Sequence, residues 1–342
     1  MTKRINLALQ GGGAHGAFTW GVLDRILEDD RIEIAAISGT SAGALNGAAL
    51  KSGLLEDGAD GAKAKLDWLW GEIGGTDQSH LHAWMHGVTP GKVSHAVESS
   101  PFYQAIDIFS RMASPYNLGL LYSHPLRPIV EQLNFDEVCA MEGPDLFICA
   151  TNVRSGKIRI FGHHDTDTDA ILASGCLPTV FQAVEIYDPK TDRIEAYWDG
   201  GYMGNPALFP LFEPQYPADV MIVNINPLHR EDLPRKATEI QNRINEISFN
   251  GSLFRELRAV QFVRDLIAGG KVTRGSMKDV LVHMIADDGL MNELSVATKT
   301  IPTPFVLHEL KLAGRNAAGA FLDAHFDDLG EKSTVDLRTM FE

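Results

Sequence analysis

The sequence predicts an α/β fold built on a mostly parallel sheet. Two observations carry the prediction. An apolar run, Ile5-Asn6-Leu7-Ala8-Leu9, leads through the glycine-rich loop Gly11–Gly16 into a stretch of helical spacing, Ala17–Leu27. A second apolar run, Ile34-Ala35-Ala36-Ile37, leads through Gly39-Thr40-Ser41-Ala42-Gly43 into the small-residue run Ala44–Leu50. Strand, turn and helix, twice in succession, is the pattern of βα units whose strands lie parallel under their helices. In the first helix Phe18, Val22 and Ile26 fall four apart, with Leu23 and Leu27 beside them, which marks one buried face.

The later elements follow by the same reading. Leu66–Trp70 suggests a helix with aromatic bulk, and Pro125–Leu133 a further helix. Asp145–Val153 is a strong strand that turns at Arg154–Lys157 into Ile158–Phe161, a hairpin. The acids of His163–Asp169 resemble a calcium loop at first. However, Ala170 stands where an EF-hand needs glycine and Cys176 where it needs glutamate, so the acids are read as caps for the helix from Ala170. Glu195–Trp198 and Asp219–Asn226 are strands, the second closed by Pro227. Residues 234–269 read as mostly helical: Ile240, Ile244 and Ile247, then Leu253, Leu257 and Val260, alternate with Arg243, Glu246, Arg255, Glu256 and Arg258. Val280–Ile285 is a last strand, Asn316–His325 a helix, and Phe326–Gly330 the start of a polar tail. There is no repeat, low-complexity tract or long linker. The expectation is one domain over residues 1–342, with a core at about 5–226 and a mainly helical extension over 227–342.

Composition narrows the function. The 342 residues carry 45 acidic and 30 basic side chains, a net charge of −15, which argues against nucleic acid as the main partner. Three widely spaced cysteines, Cys139, Cys149 and Cys176, suggest buried thiols in a reducing compartment. The N-terminal apolar run is too short for a secretory signal, and no run approaches a membrane span. The expected location is cytoplasmic. His80, His82 and His86 match no zinc spacing, so no metal is assigned. Basic residues on the 234–269 helix could meet an anionic membrane in a transient contact, although the interleaved acids favour a helix packed on the core.

The chemistry concentrates in three stretches. Gly39-Thr40-Ser41-Ala42-Gly43 is a G-x-S-x-G turn between strand and helix, the form of a nucleophile elbow, with one serine at its apex. Gly11, Gly13 and Gly16 fit the dinucleotide fingerprint, but the second strand ends in Ile37-Ser38-Gly39 where that fingerprint needs an acid. The loop is therefore read as an oxyanion hole, its N–H groups facing an ester carbonyl held at Ser41. Third, a strand delivers Asp199 to the glycine turn Gly200-Gly201. Two bases stay open on residue types alone. Later histidines (His283, His308, His325) would allow a Ser–acid–His arrangement, yet Ser41 follows only the second strand, too early for an α/β-hydrolase elbow.

Gly11–Gly16, Gly39–Gly43 and Asp199-Gly200-Gly201, in this order, resemble the patatin-like phospholipase family. The resemblance implies a three-layer α/β/α fold and a serine acyl hydrolase acting on lipid esters without metal or cofactor. It implies a dyad of Ser41 and Asp199. It places the oxyanion hole in Gly11, Gly12, Gly13 and Ala14, with the N–H groups of Gly12, Gly13 and Ala14 as donors, and Gly16, Gly39, Gly43, Gly200 and Gly201 as motif glycines. The segment Ala173–Phe181 resembles one that lies beside the family's active site. Where the family usually has Arg or Lys, this chain has His15, which is read either as a sensor of anionic head groups or as a space-filling residue. A neutral ester, thioester or storage polyester remains an alternative substrate, and a catalytically silent lipid-binding scaffold the alternative role.

Overall fold

The computed structural model describes residues 2–74, 89–101, 103–105, 114–235, 237–273 and 275–341. Eight strands form one sheet: β1 (Lys3–Leu9), β2 (Ile32–Thr40), β3 (Asp145–Asn152), β4 (Ile158–Gly162), β5 (Val184–Asp188), β6 (Arg193–Asp199), β7 (Asp219–Asn224) and β8 (Leu281–Ala286). The order is β5-β6-β3-β2-β1-β7-β8, with β4 also on β3. The stretch β3-β2-β1-β7-β8 is parallel, while β3–β4, β3–β6 and β5–β6 are antiparallel.

Eleven helices are described: α1 (Ala17–Ile26), α2 (Ala42–Gly74, broken at Asp57 and Gly58), α3 (Pro90–Ser99), α4 (Arg127–Val130), α5 (Phe135–Val138), α6 (Thr168–Ser174), α7 (Ala237–Ala268), α8 (Asp288–Glu293), α9 (Val296–Thr300), α10 (Pro304–His325) and α11 (Leu337–Phe341). They cover both faces of the sheet, and the period-two alternation of strand side chains divides the core accordingly. Leu7, Leu9, Ile37, Met221 and Val223 join the cluster formed with α1, α2 and α10. Ala8, Ala36, Val220 and Ile222 join the cluster formed with Leu253, Leu257 and Val260 of α7 and Leu337 of α11. Burial of these apolar faces, at roughly 25 cal/mol per Å², is the main force holding the layers together.

The order of elements positions the site. β1 is flanked by β2 on one side and by β7 on the other, so the sheet grows away from it in both directions, β2 and β3 to one side and β7 and β8 to the other. In open α/β sheets the crevice at the carboxyl ends of the strands beside such a switch is where ligands bind.

Four readings of the sequence are corrected. β5 carries no prediction; it is an edge strand whose side chains alternate between part-buried and exposed up to the buried Asp188. The Pro125–Leu133 helix shrinks to Arg127–Val130. On α7 the second half of the expected stripe is buried, but Ile240, Ile244 and Ile247 are exposed. The first half of α7 turns Asn242, Asn245, Glu246 and Phe249 inward instead, toward a cavity. The expected polar tail after Phe326 is anchored, with Leu329 and Leu337 buried. His80, His82 and His86 lie outside the described residues. Among the described residues no helix is long and apolar enough to cross a membrane.

Candidate active site

β1 and β2 run side by side with Leu9 opposite Gly39, so the glycine loop and the serine elbow leave the sheet at the same edge. Ser41 sits at φ 53°, in the left-handed region where L residues other than glycine are uncommon. The turn that sets this backbone presents the side chain at the start of α2. Its conformation is held by a relay: Ser41 N–H donates to Ser174 Oγ (2.8 Å), and Ser174 Oγ–H donates to the Cys149 carbonyl (2.7 Å). α6 thereby ties the elbow to β3.

The glycine loop packs directly on the elbow. A side chain at Gly11 would come within 2.7 Å of the Ser41 Cβ, so only glycine lets the two approach. The Gly11 N–H is already spent on Asn205 Oδ1 at 2.7 Å, which removes Gly11 as an oxyanion donor. Gly13 has φ +60° and lies against the Lys299 carbonyl, leaving no room for a Cβ. The N–H groups of Gly12, Gly13 and Ala14 have no acceptor among the described residues, and all three residues line the cavity that contains Ser41. Of the other motif glycines, Gly16 faces Ala42, Gly39 faces Gly43, Gly43 faces Leu9, Gly200 faces Cys149 and Gly201 faces the Phe249 ring.

β6 delivers Asp199 to the same place. Its carboxylate is buried and accepts the Gly201 N–H at 2.7 Å. Burial pushes the Asp199 pKa up to about 7, against the opposing pull of the Gly201 N–H and of the Ser41 hydroxyl. Both residues line the same cavity. Among the described residues no histidine lines the cavity. His283 is instead occupied with Asp219 at 2.9 Å. Burial pushes the Cys149 and Cys176 thiols up, the latter to about 12, so neither supplies a thiolate. Among the described residues no group of His, Cys, Asp and Glu could hold a metal ion.

His15 takes the second of its two readings. It is buried, its Nε2 lies 3.0 Å from Thr298 Oγ1, and its pKa is held well below 6.5 by burial and by the nearby Lys299 charge. It fills space between the glycine loop and α9 as a neutral ring, and no head group can reach it.

The cavity has a volume of about 500 Å³. Trp70, Leu126, Ile171, Leu172, Leu177 and Phe181 form an apolar side, which includes part of the Ala173–Phe181 segment. Asn226, Asn242, Asn245, Glu246 and Lys299 bring polar groups to the lining, interleaved with Phe249, Val296 and Pro302 of the same stretches. Several supporting residues have no signal in the sequence. Gln10 Oε1 accepts the N–H groups of Ile225 (2.9 Å) and Asn226 (3.1 Å), and Asn226 Nδ2 donates to the Gly11 carbonyl (2.7 Å), bolting the glycine loop to the end of β7. Ser174 could have been suspected from its place in the Ala173–Phe181 segment. Asn205, Asn226 and Lys299 could not, because each acts across a large separation in sequence.

The family model described as patatin-like phospholipase matches residues 7–212. No curated protein matches the sequence. Among solved structures, VipD from Legionella pneumophila is similar at 15% identity and a TM-score of 0.45, covering 94% of this chain and 67% of that one. The type III effector protein ExoU is similar at 15% identity and a TM-score of 0.34, and the chain spans 53% of its length. The ExoU–SpcU complex from Pseudomonas aeruginosa gives 16% identity and a TM-score of 0.30, covering 99% of this chain and 74% of that one. The family match spans more than half of the sequence. The chain belongs to the patatin-like phospholipase family, and with it to the lipid acyl hydrolases.

Proposed function

We propose that this member of the patatin-like phospholipases cleaves acyl esters of lipids with a Ser41–Asp199 dyad and an oxyanion hole formed by the Gly12, Gly13 and Ala14 N–H groups. The observation that carries the proposal is the buried Asp199 carboxylate, which shares with Ser41 the lining of one largely apolar cavity and whose pKa feels the Ser41 hydroxyl. A serine hydroxyl is a weak nucleophile until a base takes its proton. An aspartate of ordinary pKa is a poor base at neutral pH, and burial brings Asp199 to the range where base and acid roles are both served.

The steps follow from these positions. Asp199 takes the Ser41 Oγ proton as Oγ bonds to the ester carbonyl carbon. The carbonyl oxygen becomes an oxyanion, held by the loop N–H groups. One such donor is worth about 3 kcal/mol in the transition state. The tetrahedral centre collapses, the carbon–oxygen bond to the alcohol breaks, and Asp199 returns the proton to the departing alcohol. Asp199 then deprotonates a water, which attacks the acyl-serine, and Ser41 regains its proton as the carboxylic acid leaves. The acyl chain lies along Trp70, Leu126, Ile171 and Phe181.

The test is hydrolysis of p-nitrophenyl butyrate and of dihexanoylphosphatidylcholine by the wild type and by Ser41→Ala. The proposal expects turnover of both esters and loss of at least a thousandfold in the variant. Undiminished hydrolysis by folded Ser41→Ala would overturn it. Binding of lipid without any turnover in the wild type would establish the silent scaffold instead.

A further inference from the structure

The polar wall of the cavity holds a charged cluster that the reaction above does not use. Glu246 is buried on α7 and takes two hydrogen bonds from Arg230 (2.8 and 2.7 Å), one from Arg243 (3.3 Å) and one from Lys299 (3.2 Å). Burial alone would raise its pKa, but these cations hold it at about 2, so the carboxylate stays ionised. Three cations therefore share one carboxylate. Asp288 is the next acid to feel Arg230, and even counting it the cluster keeps an excess of positive charge.

Lys299 is the member that faces the cavity. Its side chain is 14% exposed, and it is the one cation among the described residues lining the space around Ser41; the acids there are Glu72, Asp199 and Glu246. Its ammonium donates to Glu246 Oε1 and, at 3.3 Å, to Asn226 Oδ1. That accounts for two of three N–H groups, and the third has no acceptor among the described residues. Backbone contact fixes the position: the Lys299 carbonyl lies on Gly13, beside the proposed oxyanion donors. Ser41 lines the same cavity, with Gly175 close to its Oγ. An ester bound with its acyl chain on the apolar wall would extend its alcohol portion toward Lys299, Asn242 and Asn245. Lys299 also lies outside residues 7–212, the part that the family model matches.

We propose that Lys299 is a specificity-determining residue that binds the phosphate anion of the substrate's alcohol portion, so that the site prefers a phospholipid to a neutral glyceride. This rests on the dyad reading above. A lysine ammonium in a poorly hydrated wall is a compact point charge suited to a phosphodiester oxygen, and the Asn245 amide adds a neutral donor to the same lining, while Asn242 Nδ2 is turned to Glu246 Oε1 at 3.2 Å.

The test compares kcat/KM for dihexanoylphosphatidylglycerol and dihexanoylglycerol, which share their acyl chains. Lys299→Met should lower the ratio of the two about tenfold, mainly through KM for the anionic substrate, and Lys299→Arg should keep it within about threefold. An unchanged ratio in folded Lys299→Met overturns the proposal. The wild type gives an arm that needs no variant: glycerophosphoglycerol should compete with dihexanoylphosphatidylglycerol, and glycerol should not. Equal inhibition by both, or by neither, refutes the proposal. Inhibition by inorganic phosphate alone, with the substrate ratio unmoved by Lys299→Met, identifies a free-anion site and also refutes it. Hydrolysis surviving Ser41→Ala strikes the dyad and not this comparison, which weighs two substrates in the same chain.

Discussion

The pH dependence of hydrolysis should follow the Asp199 carboxyl, whose pKa stands at about 7 because burial disfavours its charge. Only the ionised form can accept the Ser41 proton. With a monomeric neutral ester such as p-nitrophenyl butyrate, kcat/KM should be half-maximal near pH 7, level above about pH 8, and fall tenfold per unit of pH below about 6. At pH 5 it should be about one hundredth of the plateau. The same shift bears on stability. The folded pKa lies above the unfolded value of 3.8, so the folded chain binds this proton more tightly. The resulting stabilisation is complete below about pH 4 and is lost as pH rises through about 7, a loss of about 4 kcal/mol. Asp199→Asn has no charge to bury and its side-chain oxygen can still accept the Gly201 N–H. It should therefore abolish turnover and raise Tm at pH 8 by roughly 5 °C. Stopped-flow or plate assays across pH 5–9 with a constant-ionic-strength buffer, and calorimetry at pH 8, check both statements. An inflection near pH 4, or a flat profile, would refute the reasoning. So would an Asp199→Asn chain that melts earlier than the wild type at pH 8.

Three further perturbations probe the scaffold of the site. Gly13→Ala places a methyl group at φ +60° against the Lys299 carbonyl, and should cost about 2 kcal/mol or more in urea unfolding and most of the activity. Ser174→Ala strands the Ser41 N–H and the Cys149 carbonyl; it should cost about 1–3 kcal/mol of stability and lower kcat about tenfold with little change in KM, measured on p-nitrophenyl butyrate. Glu246→Gln leaves Arg230, Arg243 and Lys299 without their shared carboxylate, and should cost about 3–5 kcal/mol at pH 7. The Glu246 pKa is depressed to about 2 from 4.5, so the wild type should lose this contribution as pH falls through that window, and the variant should show no such loss in acid melts.

How much of this was legible in the sequence depends on the range of the interaction. β1 with its loop and α1, and β2 with the elbow and α2, were readable because apolar period and glycine placement are local signals. Asp199 was readable because a strand, a carboxylate and two glycines are contiguous, although its partner is Ser41, far away in the chain. β5 was missed because a short edge strand with alternating exposed side chains looks like any polar loop. On α7 the isoleucines at 240, 244 and 247 satisfy a helical stripe that faces outward, since the inward face there is polar and lines the cavity. His15 was ambiguous because only the packing of α9 decides whether it is buried. Gln10, Asn205, Asn226 and Lys299 carry no local pattern; they meet only once β7 and α9 are laid against the glycine loop.

The account stands most directly on the reactivity of one hydroxyl. A fluorophosphonate probe forms a stable covalent adduct only with a serine whose proton is being removed. Incubation with the probe at pH 8, digestion and peptide mass spectrometry should place a single adduct on the peptide that contains Ser41. Labelling should be absent in Ser41→Ala and at least a hundredfold slower in Asp199→Asn. Labelling of another residue, or labelling of Ser41 at an undiminished rate in Asp199→Asn, would contradict the dyad.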